Sequence, residues 1–99
     1  MLHIVNKSPE GSGGLASCLR VAQDGDTVLL IEDAVYAATD PVAARCGIAQ
    51  AAQRLKLFVL QPDLEARGVT ARRVAAIEAL DYGGFVDLVA ANSTSHSWL

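Results

Sequence analysis

Apolar positions along this chain alternate between short continuous runs and a spacing of three and four. "LHIV", Leu2–Val5, is a run of the first kind, and the turn formers of "NKSPEGSGG" follow it, which predicts a strand and then a loop. From Leu15, apolar or small residues fall at Cys18, Leu19 and Ala22, the i, i+3, i+4, i+7 pattern of a helix with one buried face, ended by Asp24 and Gly25. "DTVLLIED" is an almost continuous apolar strand, of the kind covered on both faces in parallel sheets. Asp33 is placed to cap a helix over "AVYAATDPVAA", with Pro41 breaking or restarting it.

"GIAQAAQRL" from Gly47 predicts another helix, and Lys56 to Leu60 a third strand. Pro62 then stands at a first helical position, and "LEARG" is a short helix with Gly68 as its left-handed stop. In "VAAIEALD" the alanines favour a helix, while the order of elements favours a strand around Val74 to Leu80; the strand is adopted. A helix is expected from about Gly84, and "HSWL" ends the sequence as a short strand or a loose tail. Strand and helix in alternation predict one α/β domain over residues 1–99. The expected architecture is a three-layer sandwich of flavodoxin-like shape, with right-handed crossovers and a mostly parallel sheet of four to five strands. Functional groups in such sheets gather where strands end and helices begin.

Composition adds constraints on partners. With 99 residues, 52% of them apolar, the chain can build one core but has surplus apolar surface to cover. A formal charge of −3 gives no general basic field, which disfavours direct nucleic-acid or anionic-membrane binding. Arg67, Arg72 and Arg73 stand among acidic residues and read as a solvated mixed face. "MLHIVNKSPEG" lacks a long apolar leader core, and "VLLI" is far too short to span a bilayer. A cytoplasmic location is therefore expected, with Cys18 and Cys46 reduced.

The candidate chemistry is sparse. "GSGG", Gly11–Gly14, follows the first strand as a phosphate loop would, but it has neither the G-x-G-x-x-G nor the P-loop spacing. Glu32 and Asp33 could meet a hard cation, yet the first strand offers no third acidic group, so Asp33 is read as a cap. His3 and His96 have no partner at zinc-ligand spacing; no metal and no cofactor are expected. His3 reads as a hydrogen-bonded strand residue and His96 as exposed. Ser8, Ser12 and Ser17 sit in no nucleophile elbow. Trp98 carries a large apolar ring, and packing or docking against a partner is weighed equally with a disordered tail.

The thiols remain. Sulfur transfer needs a reachable, partly ionised cysteine. Cys18 lies in the second turn of its helix, where the dipole is already fading, and shares the apolar face with Leu15, Leu19 and Ala22. Both features favour packing over a strong thiolate. Cys46, beside Arg45 and before Gly47, is expected to be the more exposed of the two.

Several stretches together resemble the family of TusB and DsrH: "MLHIVNKSP", "CLRVAQDGDTVLLIEDAVYAA", "LKLFVLQPDLEARGV", "DYGGFVDLV" and "SWL". The resemblance implies a DsrE-like fold and a subunit of an intracellular sulfur-relay complex. It implies assembly with TusC/DsrF-like and TusD/DsrE-like subunits into a dimer of heterotrimers, with a TusE/DsrC-like protein as downstream sulfur acceptor. It also implies that the main persulfide cysteine lies on the TusD/DsrE-like subunit, this subunit being chiefly structural. Cys18 matches a cysteine typical of the DsrH branch, and is the candidate catalytic residue as a secondary sulfur site. The two known branches lead to 2-thiolation of the tRNA wobble uridine and to dissimilatory sulfur oxidation. Glu10 stands where the family usually has an aromatic residue, and Ala34 replaces a usual glycine. The α/β order and "GSGG" alone would also suit a small-molecule or nucleotide binding module.

Overall fold

The computed structural model describes residues 1–98. Five strands form one sheet: β1 (Leu2–Val5), β2 (Thr27–Leu30), β3 (Lys56–Leu60), β4 (Glu78–Leu80) and β5 (Ser95–Trp98), in the order β4-β3-β2-β1-β5. Every pairing is parallel. The sheet is thus at the upper end of the expected strand count and wholly parallel. "VAAIEALD" supplies a strand only over its last residues, and the end of the chain supplies β5, registered against β1 with Val5 opposite Trp98.

The helices between strands are α1 (Gly14–Val21), α2 (Val42–Arg45), α3 (Ile48–Ala51), α4 (Gln61–Ala66) and α5 (Tyr82–Ala91). Alternation along the strands assigns the two sheet faces. Val5, Val28, Leu30, Leu57 and Val59 join Leu15, Cys18, Ile48 and Leu64 in the main core cluster. Leu2, Leu29 and Leu60 are just as buried but lie outside that cluster, because they point to the opposite face. That second face belongs to α5: a Cβ built on Gly84 would lie 3.1 Å from the Leu80 side chain, so helix and strand approach there as closely as glycine allows.

Four local expectations change. Residues Glu32–Ala38 form a 3-10 helix rather than an α-helix, and Asp33 is not its cap. Glu32 takes φ 50, and its N–H donates to Asp63 Oδ2 at 2.6 Å, so the capping oxygen comes from α4, far along the sequence. Asp33 instead pairs with Arg67 at 2.9 Å. Gly47, at φ 70, separates α2 from an α3 of only 4 residues, shorter than the alanine-rich pattern implied. Arg54, past α3, is spent on α1: its guanidinium donates to the carbonyls of Leu19 and Ala22, satisfying acceptors that a helix end leaves open. Finally, α5 starts before Gly84, because Asp81 caps it by accepting the Gly84 N–H at 2.7 Å. The arginines expected on a solvated face also clip backbone: Arg72 donates to Asp40 O at 3.0 Å, and Arg73 to Val74 O at 3.4 Å.

Gly84→Val should force the Leu80 side chain aside and lower stability by about 1–3 kcal/mol in urea unfolding. Gly11, with open space around it, is the control: Gly11→Ala should move the midpoint by less than about 0.5 kcal/mol.

Candidate functional site

Cys18 sits on α1 with Leu15 one turn earlier, and both face the sheet; Cys18 is 0% exposed. Loss of water around the sulfur is the larger cause, and the Asp26 carboxylate the smaller, of a thiol pushed up to about 11. Burial and a raised pKa both work against the access and ionisation that attack on a persulfide requires. The sequence-level suggestion of a secondary sulfur site at Cys18 therefore meets a packed, protonated thiol in the folded chain.

Cys46 follows α2 and is half-buried. It opens on a cleft of about 310 Å³ between the Pro9–Ser12 loop, α1 and α2, lined also by Leu15, Leu19 and Val42. Glu10 and Arg45 line the same cleft and pair at 2.9 Å. The cysteine's pKa is nevertheless raised: burial outweighs the Arg45 charge, and Glu10 adds to the rise. As expected, Cys46 is the more accessible thiol.

A third cluster forms where β1 meets the start of β2 and the end of β5. His3 is 3% exposed; its Nε2 lies 2.9 Å from Asp26 Oδ2, and its Nδ1 lies 3.2 Å from the Trp98 indole nitrogen. An indole N–H can only donate, so Nδ1 accepts and Nε2 carries the proton that it donates to Asp26. Asp26 also accepts the Gln23 N–H at 3.0 Å, and its other oxygen lies 3.2 Å from the Met1 amino group. The carboxyl is lowered to about 2, chiefly by the His3 hydrogen bond, then by the Gln23 N–H, against a burial effect of opposite sign. His3 is thus a hydrogen-bonded strand residue as expected, and Trp98 packs, with its ring edge-on to the exposed His96 at 4.6 Å. No local spacing signals that Asp26 joins His3, since 23 positions separate them.

Among the described residues, no group of three or more His, Cys, Asp or Glu side chains is placed to hold a metal ion, and no helix is long and apolar enough to cross a membrane. Ser8 and Ser12 make local turn contacts, accepting the N–H groups of Glu10 and Gly14 at 3.3 and 3.1 Å.

Comparison with known proteins gives a concordant set of matches. The family model described as "DsrH like protein" matches residues 7–95. Protein TusB of Escherichia coli O81 (strain ED1a) is 36% identical over 98 residues, covering 99% of this chain and 100% of that protein. Protein TusB of Sodalis glossinidius (strain morsitans) is 35% identical with the same coverage. Among solved structures, the protein of unknown function MTH1491 from Methanobacterium thermoautotrophicum superposes with a TM-score of 0.73 at 12% identity, covering 97% of this chain and 95% of that one. At that identity the last likeness speaks for the fold alone.

Two measurements check the geometry. A thiol reagent at mildly alkaline pH should modify Cys46 in the folded protein and reach Cys18 only on unfolding; fast labelling of Cys18 in the native state would contradict its packing. Asp26 binds its proton less readily folded than unfolded. Its contribution is therefore fully present above the ordinary carboxylate value near ~4 and is lost as pH falls from there towards about 2. Asp26→Asn should lower stability at neutral pH and flatten this part of the stability profile measured by urea unfolding.

Proposed function

Because the chain belongs to the DsrH family, we propose that it is a mainly structural subunit of a cytoplasmic sulfur-relay complex. In such a relay the thiolate of an accepting cysteine attacks the outer sulfur of a donor persulfide. The new S–S bond forms as the old one breaks, and the donor leaves as a thiolate, with no external oxidant. The observation that carries the structural reading is the state of Cys18: a sulfur with 0% exposure and a pKa near 11 is a poor acceptor. The attacking thiolate is then expected on another chain. The partners are TusC/DsrF-like and TusD/DsrE-like subunits in a dimer of heterotrimers, delivering to a TusE/DsrC-like acceptor. The end product is a thiolated tRNA wobble uridine or oxidised sulfur.

Three features support this over a small-molecule module. The "GSGG" stretch is a turn and helix start in which the Ser12 hydroxyl accepts the Gly14 N–H, the Asp33 carboxylate after β2 is paired with Arg67, and the match to TusB proteins runs the length of the chain. Cys18 contributes packing. Cys18→Ala should cost about 1 kcal/mol of stability while leaving sulfur delivery by the reconstituted complex within about twofold of wild type.

Incubating the folded chain with a persulfide donor tests the assignment directly. The expected mass spectrum shows no added sulfur (~32 Da) on Cys18; stoichiometric addition there would make this subunit a carrier in its own right. Failure of the chain to join any oligomer with TusC- and TusD-type homologues would overturn the reading as a whole.

A further inference from the structure

The second face of the sheet is thinly covered. None of the 10 residues of α5 is buried, although its sequence, YGGFVDLVAA, carries one charge. Tyr82, Val86 and Val89 form an i, i+4, i+7 stripe that is 60%, 65% and 46% exposed. Val86 and Val89 join Phe85 and Ala90 around a shallow hollow of about 280 Å³. Single exposed apolar side chains are ordinary on a protein surface; a contiguous stripe with a hollow in it is a docking feature.

The charges around it say what kind of surface fits. From Val74 onward the sequence holds Glu78, Asp81 and Asp87 and no lysine or arginine, and all three acidic residues are exposed. Glu78 projects on the α5 side, since it is in register with Phe58 and alternates with Ala79 of the main core. On the same face Lys56 stands at the start of β3, away from the cap of α5. A second copy of this chain would bring the same acidic rim against itself, a like-charge arrangement that opposes association.

We infer that the exposed stripe of α5 is the docking surface for a different polypeptide, one that inserts an apolar side chain into the hollow and surrounds it with lysine or arginine. This rests on the proposed membership of a mixed complex, in which one of the two homologous subunits is that polypeptide. The acidic rim steers the encounter and excludes self-pairing, and the apolar centre supplies affinity.

Co-expression with the TusC- and TusD-type homologues of the same source, followed by size exclusion with light scattering, tests it. Wild type should form the mixed oligomer. Val86→Asp and Val89→Asp should each weaken assembly by at least about tenfold, and Asp87→Lys should weaken it in a salt-dependent way. Val21→Asp, on an α1 residue that is 61% exposed, should assemble as wild type. These sites are solvent-facing, so each variant alone should keep the wild-type circular dichroism and melting temperature. Undiminished assembly of both valine variants overturns the docking surface while leaving the complex intact. A homodimer of the isolated chain that Val86→Asp disrupts overturns the choice of a different partner. A wild-type chain that joins neither homologue overturns the proposed complex and this surface together.

Discussion

A parallel sheet must be covered on both faces, and here the winding of the chain makes that coverage unequal. From β1 to β4 each new strand is added on the same side of the last, so right-handed crossovers place α1 to α4 on a single face. Only the connection from β4 to β5 crosses back over the sheet, and it brings one helix, α5, to the other face. The main core, with Cys18 inside it, is a consequence of the first four crossovers. The exposed apolar stripe is a consequence of the last.

This asymmetry explains why the two interesting chemistries of the chain lie apart. The thiol that sequence reasoning singled out is sealed under the thick layer, where desolvation keeps it protonated. Its immediate value is volume in a close-packed interior, where even one missing atom is felt. The surface that remains unfinished is on the thin layer, where the helix is anchored by the Asp81 cap and by the contact of Gly84 with Leu80. A domain built this way keeps its main core under the thick layer and leaves one apolar helix face exposed.

The ends of the structure are tied by polar contacts that compensate for short strands. His3 links Trp98 on β5 to Asp26 before β2, so the edge strand is held by a side chain as well as by its ladder. Arg54 closes the carbonyls of α1, and Arg72 and Arg73 fasten the loops around β4. His3, Arg54 and Arg72 act between segments distant in sequence, and Arg54 supplies the donors that a local cap would give the end of α1.

The sequence by itself determined the alternation of strands and helices, the parallel sheet, the burial of Cys18 on an apolar helical face, and the family likeness. The first three follow from periodicity, turn chemistry and the order of elements along the chain, and the likeness from matching stretches of sequence. The tertiary structure alone decided that Asp63 rather than Asp33 would cap the segment after β2, that Asp33 would meet Arg67, and that "VAAIEALD" would pair only at its end. It also decided that Asp26, His3 and Trp98 would converge, and that α5 would lie alone on its face of the sheet. Those outcomes depend on which strands become neighbours, and a side chain's hydrogen-bond partner or exposed face is set by that neighbour, whatever its own local spacing.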